Sequence, residues 1–211
     1  MNSPSTPTET AQSDALALRC RIMGIAEQLF REMGYRKTTV ADIAAALRMS
    51  PGNVYRFFPS KKALNEAVAA RLLAEIEAEL AAIAARTEAT AADRMRDLIR
   101  VMNGMSTERF TRERRMHEMV EVAMAESWPV IHRHIGQVDA ILCGLVAEGT
   151  RAGEFRVRDA TVAARCVQSA IMRFCHPALI TQCADEPGPT VEQMTAFVLD
   201  ALNVRMSERE P

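Results

Sequence analysis

The sequence predicts an all-α fold in which a small N-terminal three-helix domain precedes a larger helical domain. Apolar residues recur at steps of three and four along the chain, which is the period of one helix face, and no segment alternates as a β-strand does. The most frequent residue types, among them alanine, leucine, methionine, arginine and glutamate, favour helix. A composition of 48% hydrophobic and 25% charged residues fits a globular protein.

The expected domain boundaries follow from composition and from the breaks in the helical pattern. Residues 1–13 are polar and hold no apolar segment, so we expect a disordered tail rather than a secretory signal. The three-helix domain is expected at 14–60, a connecting helix at 61–85 and the C-terminal domain at 86–211. No apolar run approaches the roughly 18–20 residues that span a bilayer. Five cysteines at irregular spacings favour reduced thiols, so we expect a cytoplasmic protein with no membrane partner.

The first helix is expected at 15–33. Gly34 can end it in the left-handed conformation, because glycine has no Cβ to clash there. Such a stop brings Tyr35 against Phe30, the usual hydrophobic contact of this helix end. The apolar stripe of the helix comprises Leu16, Cys20, Met23, Ala26, Phe30 and Met33.

A second, short helix follows Thr39, which can cap its start. Asp42 stands three residues on and completes a variant of the capping box. Arg48 and Met49 then form a tight turn before the next cap. The apolar stripe of this helix comprises Val40, Ile43, Ala44 and Leu47.

Ser50 is the expected cap of a third helix. Pro51 occupies its first position, where the missing N–H costs nothing. Pro59 disfavours helix at the preceding residue, Phe58, and so ends the segment. A helix of about nine residues is not stable alone, so Val54 and Phe58 must anchor it on an apolar side.

The other face of this third helix carries residues suited to a flat polar surface. Gly52 lets backbone approach such a surface closely. The Asn53 amide can form two hydrogen bonds with an adenine edge, and Tyr55 places a hydroxyl at the rim. Pro51 and Arg56 also face outwards. This pattern indicates a helix-turn-helix that enters a DNA groove, and a plain helical turn with a solvated rim is the alternative.

Two cations follow at the start of a fourth helix, which Ser60 can cap. The helix dipole disfavours Lys61 and Lys62 in that first turn. A phosphate bound at the same helix end would reverse the penalty, so we interpret these lysines as phosphate contacts.

Charge is distributed unevenly along the chain. The net charge is −1, yet residues 15–62 hold nine basic and three acidic residues, so this segment carries +6 and the remainder −7. A basic segment on an acidic body is expected when only that segment meets phosphate. On charge alone, a solvated basic face without a partner explains the pattern equally well.

Residues 38–64, TTVADIAAALRMSPGNVYRFFPSKKAL, closely resemble the DNA-binding signature of the tetracycline-repressor (TetR/AcrR) family of transcription regulators. The resemblance extends back through residues 25–34, IAEQLFREMG, where the first helix ends. It implies an all-helical homodimer with an N-terminal three-helix DNA-binding domain. It also implies a variable C-terminal domain that binds a small effector.

Carried over by position, the resemblance implies base contacts from the third helix and phosphate contacts on either side of it. Arg48 departs from the family, which usually has glycine there; if this residue is left-handed it costs about 1 kcal/mol, which a phosphate contact can offset. Phe57 stands where many members have tyrosine, so one phosphate-directed hydroxyl is absent. The candidate DNA contacts are Thr39, Arg48, Ser50, Gly52, Asn53, Tyr55, Arg56 and Lys61.

The C-terminal domain is expected to hold helices at 91–110, 112–125, 127–151, 159–181 and 190–206. Methionines crowd the first two of these segments, and their flexible side chains suit an adaptable apolar pocket. For any single methionine, a core position is the simpler alternative. The candidate ligand-binding residues are Met102, Met105, Phe110, Met116, His117, Met119, Trp128 and Phe174, and further polar groups available to a ligand are Asn103, Arg173 and His176.

Residues 153–180 bear a weaker resemblance to C-terminal domains from part of the same family, whose last two helices form the dimer. The width of the last apolar stripe fits a helix buried between subunits, and packing within one chain is the alternative. The stripe comprises Val191, Met194, Val198 and Leu202, widened by Phe197, Ala201 and Val204.

The leading hypothesis is therefore a repressor that leaves a palindromic DNA operator when a small hydrophobic or amphipathic effector binds. The alternative is a helix-turn-helix regulator with no effector, gated by a protein partner. We expect no enzyme and no cofactor, because adjacent Cys175 and His176 point about 100° apart on a helix and do not easily form a nucleophile–base pair. A metal site is not expected either, since His132 and His134 point to different sides.

Overall fold

The structure, a computed structural model, describes residues 7–112, 114–126 and 129–203. Within those ranges every regular element is a helix, which confirms the predicted fold class. None of these helices combines the length and apolar character needed to cross a membrane. The helices are α1 Pro7–Met33, α2 Val40–Ala46, α3 Pro51–Phe57, α4 Lys61–Ala84, α5 Ala91–Arg112, α6 Arg114–Ala125, α7 Pro129–Arg151, α8 Ala160–Cys175, α9 Pro177–Gln182 and α10 Val191–Asn203.

The first helix begins earlier than the sequence predicted. Residues 7–13, which we expected to be disordered, belong to α1, and residues 1–6 lie outside the described ranges. Residues 11–17 are all exposed, and Leu16 is 63% exposed. Residues 11–17 are therefore helical without placing a buried side chain in the core.

The packing face of α1 differs in part from the predicted stripe. Ala26 and Phe30 are buried as predicted, and Ile22 joins them on the same face. Cys20 and Met33 are exposed, so their assignment to the buried stripe was wrong. Residues 22, 26 and 30 follow steps of four, which keeps them on one line towards α4 and α6.

The end of α1 confirms the predicted glycine stop. Gly34 has φ 91°, and the rings of Phe30 and Tyr35 meet edge to face with centroids 5.8 Å apart. The Thr38 hydroxyl donates to the Gly34 carbonyl at 2.9 Å and is fully buried. These contacts fix the direction in which the chain enters α2.

Both halves of the capping box at the start of α2 are present. The Thr39 hydroxyl accepts from the Asp42 N–H at 3.1 Å, and the Asp42 carboxylate accepts from the Thr39 N–H at 2.8 Å. At the other end of α2, Arg48 has φ 55° and is the one described residue other than glycine in the left-handed region. The turn therefore closes as predicted, with arginine bearing the strain.

The third helix has the predicted anchor but a different cap. Val54 and Phe58 are buried, and the helix ends at Phe57. Ser50 occupies the position before α3 in an extended conformation, yet its side chain makes no capping hydrogen bond. The start of α3 therefore depends on Pro51, whose φ is already suited to the first helical position.

The core of the N-terminal domain extends into the chain beyond residue 86. Met119 and Ala123 of α6 are fully buried in the same cluster as Phe30 and Phe58. Val130 at the start of α7 belongs to this cluster as well. Of the three N-terminal helices, α1 packs directly on α6, and α4, which follows them, packs on both α6 and α7.

A second core lies among the end of α4, α5, α7, α8 and α10. Its largest fully buried side chains include Leu80, Met95 and Phe155. The long helix expected at 159–181 is instead divided at His176, because Pro177 disfavours helix at the residue before it. The short α9 follows this break.

Candidate nucleic-acid interface and internal cavity

The outward face of α3 is the one that the sequence predicted. Pro51, Gly52, Asn53 and Arg56 are exposed, and Tyr55 is 48% exposed. With Val54 held in the core on the opposite side, the helix presents these groups together to solvent. The orientation is confirmed, and the contacts of these residues with DNA stay predictions.

The approaches to α3 carry further exposed groups. Thr39 and Ser50 are both exposed at helix starts, and Arg48 is exposed in the left-handed turn between α2 and α3. Arg21 and Gly24 of α1 line a shallow groove together with Arg48. Arg21 could not be placed from the sequence, because only the packing of α1 against the turn brings it there.

Arg19 is a second cation that sequence reasoning did not place. Its guanidinium lies 4.7 Å from the centroid of the Phe58 ring, at the end of α3. A cation over an aromatic face is attracted by the electrons of the ring. The contact joins residues far apart in sequence, so no local pattern could have revealed it.

Lys61 has a structural role that was not expected. Its Nζ donates to the Tyr35 carbonyl at 3.0 Å and to the Arg36 carbonyl at 3.5 Å, and lies 5.0 Å from the Tyr35 ring centroid. Burial lowers the pKa of Lys61 from its ordinary value, and nearby Asp42 partly opposes the shift. Lys61 thus ties α4 to the turn after α1, and its contact with phosphate stays a prediction.

A cavity of about 380 Å³, partly open to solvent, lies between α4, α5, α6, α7 and α8. Most of the lining side chains are aliphatic or methionine. Four polar residues interrupt this apolar wall. The lining residues are Leu72, Leu73, Ile76, Met102, Ser106, Val120, Met124, Ile131, His134, Ile135, Val138, Gln168, Ile171, Met172, Cys175 and His176.

The cavity includes only part of the predicted ligand-binding set. Met102 lines it, whereas Met105 does not. Met119 is buried in the N-terminal core instead, because Val120 and Met124 occupy the cavity side of α6 and an adjacent residue is turned by about 100°. The assignment of Met119 to a ligand pocket was therefore wrong.

Phe174 also lies elsewhere. It lines a separate surface pocket with Asn103 and Arg173, while Cys175, the next residue, faces the cavity. The Asn103 amide donates to the Phe174 carbonyl at 3.0 Å, and one Arg173 nitrogen donates to the Cys183 carbonyl at 3.0 Å. Both polar groups are therefore committed to holding the chain around α8 and α9.

Four predicted ligand-binding residues cannot be placed. Trp128 lies outside the described residues. The side chains of Phe110, Met116 and His117 lie outside them as well, although their backbone belongs to α5 and α6. Their assignment to the pocket stays a prediction.

The polar groups of the cavity differ in how they are held. The Ser106 hydroxyl donates to the Cys175 carbonyl at 3.1 Å. Nδ1 of His134 lies 2.8 Å from Oε1 of Glu77 on α4. His176, which the sequence indicated as a polar group available to a ligand, lines the cavity. Gln168 and His134 also line it, although they were not predicted to do so.

Cys175 faces the cavity as an unreactive thiol. Burial raises its pKa to about 12, so the thiolate that would act as a nucleophile is not formed near neutral pH.

The outer faces of α8 and α10 expose large apolar side chains. Phe197 is 67% exposed and Val162 is 56% exposed. Val198 and Leu202, which the sequence assigned to a subunit contact, are buried within the chain instead. The apolar stripe of α10 is thus divided between the core and the surface, and Val204 lies outside the described residues.

Comparison with known proteins gives matches to both parts of the chain. The family described as "Bacterial regulatory proteins, tetR family" matches residues 22–68. The family described as "Tetracyclin repressor-like, C-terminal domain" matches residues 91–198, which is more than half of the chain.

One curated relative is the HTH-type transcriptional regulator UidR of Escherichia coli K12. It is 33% identical over 60 residues, which cover 28% of this chain and 31% of that protein. The matched segment thus spans about a third of the length of the relative.

Solved structures share the fold over most of the chain. A transcriptional regulator of the TetR/AcrR family from Thermobifida fusca has a TM-score of 0.61 and 24% identity, covering 89% of this chain and 100% of that chain. SmeT, the repressor of a multidrug efflux pump of Stenotrophomonas maltophilia, has a TM-score of 0.62 and 21% identity, covering 87% of both chains.

Proposed function

Because the chain belongs to the tetracycline-repressor family and is a DNA-binding transcriptional regulator, we propose that it is a repressor released from its operator by a small apolar or amphipathic effector. The observation that carries this proposal is the cavity, because α4 and α6, which line it, also contribute to the core of the N-terminal domain. A cavity also favours an effector over the alternative of a regulator gated by a protein partner. The proposed site of action is the cytoplasm, where the operator lies.

The DNA-binding part of the proposal rests on the outward face of α3. Gly52, Asn53 and Tyr55 stand together on that face and can reach base edges in a major groove. Ser50, just before the helix, and Arg56 within it are exposed on either side of these residues. We assign sequence preference to these residues, because only groups that reach the base edges carry sequence information.

Phosphate contacts are proposed for the groups around α3. Thr39 and Arg48 are exposed before the helix, and Lys61 follows it. The two carbonyl contacts of Lys61 use two of its three N–H donors, so one donor remains for a phosphate. Such contacts release counterions, so binding should weaken steeply as salt increases. They position the protein without reading sequence.

The proposed dimer uses the outer faces of α8 and α10. Phe197 and Ala201 are exposed on α10, and Val162 and Cys166 are exposed one turn apart on α8. A two-fold dimer would bury the same apolar patch on both subunits. Two DNA-binding domains related in this way match a palindromic operator.

The effector would act through the helices that join the cavity to the N-terminal domain. Leu72 and Ile76 of α4 line the cavity, and this helix begins directly after the helix-turn-helix. On α6, Val120 and Met124 line the cavity while Met119 is buried against the N-terminal core. A ligand that moves either helix therefore acts on the position of α3.

The first experiment selects bound sequences from random duplexes and then counts chains per duplex. We expect an inverted repeat whose half-site centres lie about 34–36 Å apart, bound by two chains. An asymmetric site, or one chain per duplex, would contradict the palindromic operator.

The second experiment tests the dimer with Phe197→Glu. The fold of each chain should tolerate this change, because the Phe197 side chain is exposed. A charge placed in the proposed interface should, however, yield monomers and weak operator binding. Leu16→Glu is the matched control, because it places the same charge at another exposed, large apolar side chain. A Phe197→Glu protein that stays dimeric would exclude this face as the interface.

A further inference from the structure

Glu77 and His134 form a hydrogen-bonded pair at the wall of the cavity. Oε1 of Glu77 lies 2.8 Å from Nδ1 of His134, and the side chains are 26% and 18% exposed. His134 lines the cavity, whereas Glu77 does not. The imidazole therefore stands between a carboxylate on α4 and the interior of the cavity.

The carboxylate dictates which ring nitrogen carries the proton. An ionised carboxylate only accepts hydrogen bonds, so Nδ1 of His134 must donate to Glu77. In the neutral ring, Nε2 is then an acceptor, and it is the one hydrogen-bonding atom of His134 that Glu77 does not occupy. A ligand that forms a hydrogen bond with this atom must therefore supply the hydrogen-bond donor.

The other lining residues further restrict the kind of ligand that the cavity can bind. Among the described lining residues there is no Lys, Arg, Asp or Glu to pair with an ionic ligand. The Ser106 hydroxyl already donates to the Cys175 carbonyl. A volume of about 380 Å³ lies near the small end of the range for small-molecule sites.

We propose that the cavity takes a small apolar molecule bearing one hydroxyl group, which donates its O–H to Nε2 of His134. The inference rests on the proposed function and names the class of effector for the same site. A phenolic hydroxyl suits it well, because its O–H is a good hydrogen-bond donor and its ring fits an apolar cavity. The Glu77–His134 pair thereby sets a preference for donors over acceptors.

The test compares two isomers of equal size, 4-propylphenol and 4-ethylanisole, by titration calorimetry on the full chain without DNA. The phenol can donate to Nε2, whereas the methyl ether cannot. One neutral hydrogen bond corresponds to about a threefold to tenfold difference in Kd, so we expect the phenol to bind tighter by that factor.

Glu77→Gln tests the pair rather than the cavity. A glutamine amide can donate to Nδ1, which frees Nε2 to carry the proton and to serve the ether as a donor. The phenol-to-ether ratio should therefore fall towards one, although Glu77 does not line the cavity. Glu79→Gln, at an exposed position of the same helix, should keep the wild-type ratio.

A second variant, His134→Phe, keeps a ring in place and removes the acceptor. It too should bind both isomers alike, with the fold checked by circular dichroism. Equal binding of the isomers to the wild type would overturn this inference and leave the cavity as an effector site. An unchanged ratio in Glu77→Gln would overturn the role of the pair. Failure of both isomers to bind would overturn the inference and would count against the proposed effector site as well.

Discussion

Arg94 and Glu148 form a two-pronged ion pair between α5 and α7. One guanidinium nitrogen lies 2.6 Å from Oε1 of Glu148, and the other lies 3.1 Å from Oε2. The Arg94 side chain is buried, and it also donates to the Ala84 carbonyl at 2.8 Å. A single arginine thereby connects the end of α4 with α5 and α7, next to the second core.

Replacing Arg94 with methionine should destabilise the fold. Methionine keeps most of the apolar stem but leaves the part-buried Ala84 carbonyl without its donor, a loss of about 1–3 kcal/mol. Chemical denaturation of the purified chain measures the change. Arg96→Met is the matched control, because Arg96 is a half-exposed partner of Asp93 and its loss should cost about 0.5 kcal/mol or less. Equal effects of the two substitutions would contradict a special role for Arg94.

The same pair predicts a pH dependence of stability. The hydrogen bonds from Arg94 lower the pKa of Glu148 below its ordinary value of 4.5. A carboxyl with a lowered pKa stabilises the fold above the pKa of the unfolded state, and that contribution is lost as pH falls through the pKa of the folded state. The stability difference between the wild type and Glu148→Gln should therefore be full near neutral pH and shrink below about pH 4.5. A difference that stays constant down to acid pH would contradict this prediction.

Gly149 lies where a side chain has no room. A Cβ at this position would stand 2.6 Å from Cε2 of the buried Phe155 and 2.8 Å from the Ala91 Cβ. Gly149→Ala should therefore destabilise the fold by about 1–3 kcal/mol through overpacking. Gly144→Ala on the same helix meets nothing within 4 Å and should stabilise by about 0.5–1 kcal/mol, because alanine favours helix. Thermal unfolding of both variants decides the matter, and a neutral Gly149→Ala would show that Phe155 can move.

The N-terminal domain was predictable because its signals are local. The capping box at Thr39 and Asp42, the stop at Gly34 and the turn at Arg48 each depend on residues a few positions apart. Such motifs fix backbone geometry before tertiary contacts are considered. The outward face of α3 followed, since Val54 had to point inwards.

The cavity was not predictable in the same way. Met119, Val120 and Met124 are all suited to an apolar wall, yet only the last two face the cavity. Which apolar side chains of α6 meet α1 is decided by long-range packing. Apolar residues on adjoining faces of one helix give no period that separates the core from the cavity. The Glu77–His134 pair joins α4 and α7 and has no local signal at all.

Arg48→Gly separates backbone strain from DNA contact. Glycine adopts φ 55° without the cost that arginine bears, so folding should be stabilised by up to about 1 kcal/mol. If Arg48 contacts phosphate, operator affinity should fall, and the slope of log affinity against log salt should become shallower by about one contact. Arg48→Lys keeps the charge and should preserve that slope. Unchanged DNA binding by the glycine variant would show that the arginine serves another purpose.

Asn53→Ala tests the assignment of sequence preference to α3. The side chain is exposed, so the free energy of unfolding should change by no more than about 0.5 kcal/mol. A lost pair of hydrogen bonds to one base should reduce discrimination at that base pair by about 1–3 kcal/mol while binding to unrelated duplexes stays the same. Competition between the operator and its single-base variants measures both quantities. Weaker binding to all duplexes alike would mean that Asn53 contacts the backbone, and a large fall in Tm would mean that its side chain supports the fold. If discrimination is lost at one symmetric position of each half-site, the base-reading face of α3 is the one that carries Gly52, Asn53 and Tyr55, since Val54 fixes the rotation of this short helix.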